Sequence, residues 1–173
     1  MLENVIAHGI ESQLIAGLKM LRDCMERCPV NEWNKSRNDY PFCQVIFHTL
    51  FDCDYSLSVN VVEFKDQKFH KLNRASFRDY AELEVSWPTE LYEKQFLDGY
   101  YEHCVEKVVA TLSKSTADDL LAPDSDIYKN MMRMERYINA IRHIQHHAAQ
   151  LGLRLQFSTG KEMDWISRGY ASM

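Results

Sequence analysis

The chain has 173 residues, 46% apolar and 26% charged, with 20 basic against 25 acidic side chains and a formal charge of −5. That length makes one domain over residues 1–173 the expectation, with a core large enough to need no staples. The acidic balance argues mildly against nucleic acid, which draws a basic surface.

No stretch approaches the ~20 apolar residues that span a bilayer. MLENVIAHGIESQ has an early Glu3 and no basic lead-in, unlike a secretory signal. A cytoplasmic protein with no membrane partner is therefore expected. Five cysteines is an odd number, and their spacing fits no zinc ribbon. Reduced thiols buried in the core are the expectation; a reactive or metal-binding Cys24/Cys28 pair is the sharper alternative.

In chain order, the first predicted helix runs from Asn4 to Cys28. Ile6, Ile10, Leu14, Leu18, Leu21 and Met25 recur at spacings of three and four, and Pro29 stops it. The polar stretch NEWNKSRND leads to a second helix ending near Leu57. Asn38 or Asp39 can cap it, and Pro41 suits its first turn. Its inward stripe is Phe42, Val45, Ile46, Thr49, Leu50, Cys53 and Leu57, with His48 between Val45 and Phe51.

A long connection from about Val59 to Ser86 follows. VNVVEF reads as strand or fraying helix end, and the basic KDQKFHKLNRASFR reads as a solvated loop, with a lid favouring an anionic substrate as the alternative. Pro88 opens the third predicted helix, which ends near Ser113 with Leu91, Phe96, Tyr100, Cys104, Val108 and Leu112 inward. STADDLLAP is a capped short turn ended by Pro123. The fourth helix begins near Asp124 or Ser125 and ends at Gly152, with Met131, Met134, Ile138, Ile141, Ile144, Ala148 and Leu151 inward. FSTGKEMDWISRGY reads as a loop and short turn against the helices. Four long amphipathic segments and one long crossover give an all-α four-helix bundle.

The chemistry concentrates in three histidines. His143 and His147 are four apart on one helix, so both project from one face a turn apart. His48 sits beside the inward stripe of a helix that a bundle sets alongside. Burying three imidazoles without a common partner is costly, and bundles build metal sites from facing helices. Three protein ligands leave one position for water or substrate, the mark of a catalytic rather than structural zinc site. Two other metal patterns fail: Ile144 stands where a zincin needs the Glu of H-E-x-x-H, and no His has Glu three residues before it, as di-iron bundles require. Asp52, one turn after His48, reads first as a surface or bundle-end carboxylate and otherwise as a group that orients an imidazole or moves a proton. Tyr100, Tyr101 and Tyr137 read as aromatic core, and Arg142 as a solvated side chain.

The tract RHIQHHAAQL resembles the fourth-helix signature of the DinB-like superfamily, H-x-x-H-H followed by two small residues, Gln and Leu. His48 matches the place of that family's first metal ligand, and MDWISRG resembles its Trp-bearing tail. The resemblance implies a four-helix bundle with a long crossover between helices two and three, often a homodimer. It implies zinc, nickel or another divalent ion held by His48, His143 and His147. His146 matches an extra family histidine and points ~100° away from His147. Ala149 departs from the usual Gly. Family activities include transfers and isomerisations that use a low-molecular-weight thiol. The expected function is thus a divalent-metal-dependent enzyme acting on a small molecule by thiol transfer or hydrolysis. A non-enzymatic, stress-associated metal-binding dimer is the alternative, and metal affinity is expected to fall as pH drops through ~6.5.

Overall fold

The computed structural model describes residues 2–36, 40–60, 64, 68–71, 91–124 and 131–170. The architecture there is all-helical: α1 (Leu2–Arg27), α2 (Val30–Trp33), α3 (Phe42–Leu57), α4 (Lys68–Lys71), α5 (Lys94–Leu112), α6 (Ala117–Leu121) and α7 (Arg133–Thr159). Among the described residues there is no strand, only an isolated bridge between Pro123 and Met132.

The four long helices are laid out by their apolar periodicity. α1 and α3 each pack against both α5 and α7. Leu14, Leu18, Leu21 and Met25 of α1 and Ile46, Leu50 and Cys53 of α3 are buried, as are Tyr100, Cys104 and Val108 of α5 and Ala140, Ile144 and Leu151 of α7. Gly17 lets α7 come close, since a Cβ there would lie 3.0 Å from Ile144 Cγ2. Between α3 and α5, the Phe47 ring stacks on Tyr92 at 4.1 Å. All five cysteines are buried and free, as their apolar surroundings implied.

Several predicted boundaries and faces shift. The third predicted helix begins not at Pro88 but at Lys94. Residues 91–93 are non-helical, and the Tyr92 carbonyl is taken by the Trp33 indole, whose Nε1 donates to it at 2.8 Å. That bond also anchors α2, a single turn that buries Glu32 and Trp33 while Val30 and Asn31 stay exposed, inside a stretch that reads as polar. The last helix starts at Arg133, nine residues beyond Asp124. Asp124 N donates to Met131 O at 2.8 Å and Arg133 N to Ala122 O at 3.1 Å, which pairs the described segment ending at Asp124 with the one that opens at Met131. From the first turn of α7, Arg136 pairs with Asp124 at 2.8 Å, both side chains nearly solvent-free.

The same helix runs past Gly152 to Thr159. Gly152 is a close-approach glycine, because a Cβ there would lie 2.9 Å from Met163 Sδ. The helix is ended by Gly160, whose φ of 74° gives the left-handed C-cap that glycine tolerates. Ile6, Leu91 and Ile138, placed inward by periodicity, are exposed. At the second predicted helix, Pro41 is the N-cap rather than a first-turn residue, with no side-chain cap. Asn38, Asp39, Pro88 and most of the 59–86 connection lie outside the described residues.

The capped turn is as the sequence implies: Thr116 accepts from Asp119 N and the Asp119 carboxylate returns to Thr116 N, a capping box. The tail runs back along α1. Arg27 donates to Glu162 O, Gln13 to Ser167 O, and Gly169 N to Ser12 Oγ. Gly169 sits so close that a Cβ would meet Ser12 O at 2.7 Å. No helix among the described residues is long and apolar enough to cross a membrane.

Candidate metal centre

α3 carries His48 on the side that packs against α7, and α7 carries His143 and His147 one turn apart on the side that packs against α3. The packing brings all three imidazoles together. His48 Nε2 lies 3.0 Å from His143 Nε2, and His147 Nε2 lies 3.1 Å from that same atom. The ligand atoms of the trio fall within 4.8 Å of one another. The rings meet edge-on, with interplanar angles of 68°, 89° and 77°. The closest contacts are made by the Nε2 atoms and not by stacked ring faces. His147 is buried, and His48 and His143 are half-buried.

The other ring nitrogens have different surroundings. His147 Nδ1 lies 2.7 Å from Gln150 Oε1, an acceptor that fixes the ring proton on Nδ1. His143 Nδ1 lies 3.2 Å from Asp52 Oδ2. This is ion-pair distance, off the line of a good hydrogen bond, and both atoms are shut away from solvent. A proton on His143 Nε2 would make one of these contacts a hydrogen bond, whereas a proton on its Nδ1 would leave the Nε2 atoms of His143 and His147 facing each other as lone pairs at 3.1 Å. Such a contact calls for a cation between them, either a proton or a metal ion.

A proton is the poorer choice. Burial, followed by the neighbouring His143 and His147 rings, lowers the His48 pKa to about 2. Burial lowers both His143 and His147 to about 4, with charge repulsion from other histidines adding to it. All three are therefore neutral at physiological pH, the protonation state that metal coordination requires. Two nitrogens each about 2.1 Å from one ion lie about 3.0 Å apart at a right angle and about 3.4 Å apart at the tetrahedral angle. The two separations at His143 sit at the near end of that range and the third pair lies within 4.8 Å, so the three rings are close enough together to bind a divalent ion. Among the described residues no further His, Cys, Asp or Glu joins the trio.

Other candidates fall elsewhere. His146 is exposed, its ring 4.9 Å from that of His147 and outside the cluster. Arg142 is exposed, and Tyr100, Tyr101 and Tyr137 are buried. Cys24 and Cys28 form no reactive pair, because burial pushes both thiols up to about 12. Asp52 is not simply a surface carboxylate, since it faces His143 across the helix interface. Gln150 was legible only as part of the HHAAQL tract; its position three after His147 is the signal that it can reach that ring.

A second polar cluster went unread. Asp54, fully buried on α3, accepts from Tyr100 at 3.0 Å and pairs with Lys107, with His103 Nε2 3.4 Å away. Burial alone would raise the Asp54 carboxyl, but His103 and Lys107 hold it below its ordinary value. Lys107 also donates to Asp54 O and Ser58 Oγ, so its ammonium is saturated and the cluster ties α5 to α3.

A cleft of about 760 Å³ borders His143, lined also by Asn139, Arg142, His146 and Trp165. Its size is in the range of small-molecule sites. No protein-family model matches the chain, and neither does any curated protein or any solved structure.

Proposed function

We propose that the protein is a divalent-metal-dependent enzyme of DinB-like four-helix-bundle type, acting on a small molecule by thiol transfer or hydrolysis. The bundle has a long crossover between its second and third long helices and works as a cytoplasmic homodimer. The observation that carries the reading is the double contact at His143 Nε2, 3.0 Å from His48 and 3.1 Å from His147. Zinc or nickel, held by His48, His143 and His147, would supply Lewis acidity, the chemistry that makes water or a low-molecular-weight thiol nucleophilic near neutral pH.

The chain's own residues have separable tasks. The three imidazoles present lone pairs, and Gln150 holds the His147 ring by its Nδ1 proton. A non-enzymatic metal-binding dimer is the second reading. The three-donor set favours the first, because it leaves coordination positions that a purely structural zinc site would close with a fourth protein ligand.

Cobalt substitution separates the two. The cobalt-loaded protein should give a visible spectrum, and a low-molecular-weight thiol should add a near-ultraviolet thiolate-to-metal band. A cobalt spectrum insensitive to thiols and to other small anionic ligands would mean a closed site and would reject the enzyme reading.

A further inference from the structure

We infer that Asp52 is a positioning residue for the metal centre: its carboxylate fixes the ring proton of His143 on Nδ1 and supplies the negative charge that strengthens ion binding. The inference rests on the metal reading of the three histidines and adds what that reading leaves open, the group that sets the site's affinity.

The geometry is specific. Asp52 is on α3 and His143 on α7, and Asp52 Oδ2 is 3.2 Å from His143 Nδ1 with both atoms cut off from solvent. This is an ion-pair contact short of hydrogen-bond alignment, so the carboxylate's charge rather than a formed bond favours the proton on Nδ1. His143 is the central ring, since its Nε2 touches both other Nε2 atoms. The ring that anchors the trio is thus the one backed by a charge, whereas His147 is backed by the neutral Gln150 amide. A carboxylate accepting from the distal N–H makes an imidazole a stronger donor and locks its tautomer, and losing such a partner typically costs 10–100-fold in metal affinity. Three neutral imidazoles leave the full charge of a divalent ion uncompensated. Asp52 offsets half of it from one shell out.

The test is zinc competition against a chromophoric chelator. Asp52→Asn keeps the size of the side chain and removes its charge, so its zinc affinity should fall 10–100-fold with one zinc still bound per chain. Gln150→Glu places a carboxylate behind His147 instead, and the Asp52→Asn/Gln150→Glu double variant should recover about tenfold. Asp118→Asn, an exposed acid on α6, calibrates the effect of net charge and should leave affinity within about twofold. Asp52→Asn binding as tightly as wild type, or no more weakly than Asp118→Asn, overturns the inference.

A second readout uses only the wild-type, metal-free protein, so it survives a variant that fails to fold. Imidazole ¹⁵N resonances should show His143 as the Nδ1–H tautomer, and an Nε2–H tautomer overturns the inference. If the wild type takes up no zinc, the metal reading falls, while the tautomer still reports on Asp52.

Discussion

Acidifying the metal-free protein should destabilise it by about 4 kcal/mol between about pH 7.5 and pH 5.5. In the unfolded chain an imidazole takes up its proton near pH ~6.5. In the folded protein burial delays that step, to about 4 for His143 and His147 and to about 2 for His48. Between those values the unfolded state holds more protons, so stability is lost as pH falls through 6.5 towards the folded values. At pH ~5.5 the unfolded form of each residue is about nine-tenths protonated and the folded form almost not at all. The difference is ~1.3 kcal/mol per histidine, about 4 kcal/mol for the three. This is a large share of the ~5–15 kcal/mol that holds a domain of this size together. Urea unfolding with a chelator at the two pH values measures it directly. His48→Gln should remove about a third of the pH dependence, whatever it does to absolute stability. A change below ~1 kcal/mol, or a slope that His48→Gln leaves untouched, would refute the idea that the three rings are buried neutral.

The buried Arg136–Asp124 pair should be expensive to break: Arg136→Met removes the cation paired with a buried carboxylate and should cost ~3–5 kcal/mol in urea unfolding. Gly169→Ala should lift the tail from α1, because the new Cβ would collide with the Ser12 carbonyl. A loss of ~1–3 kcal/mol and faster proteolysis after residue 160 are expected. Gly160→Ala should cost ~1 kcal/mol, the usual penalty for a side chain in the left-handed region, measured as a lowered thermal midpoint.

The long helices and the His143/His147 pair were legible because both rest on local spacing, and His48 because it sits beside the inward stripe of its helix. Periods of three and four named the α1 and α3 cores well, and four-residue spacing put His143 and His147 on one face. The start of α5 was not legible, because the bond from the Trp33 indole to Tyr92 O is made across 59 positions of sequence. The ends of α7 failed for a related reason. Gly152 and Gly160 look alike as stop signals, and only the contact with Met163 shows that the first is there for packing. Asp52 was ambiguous because its partner is on another helix. The expected loss of metal affinity through pH ~6.5 needs correction as well. That figure belongs to solvated imidazole; rings whose own protonation is pushed to about 4 and 2 compete with the metal only at lower pH.

Zinc titration of the demetallated protein by calorimetry, with His48→Ala, His147→Ala and His146→Ala alongside, tests the shared metal centre most directly. The wild type should bind one ion per chain. His48→Ala and His147→Ala should each abolish tight binding, and His146→Ala, whose ring is exposed outside the trio, should bind nearly as the wild type does. No uptake by the wild type, or binding that survives His48→Ala but is lost in His146→Ala, would contradict the account.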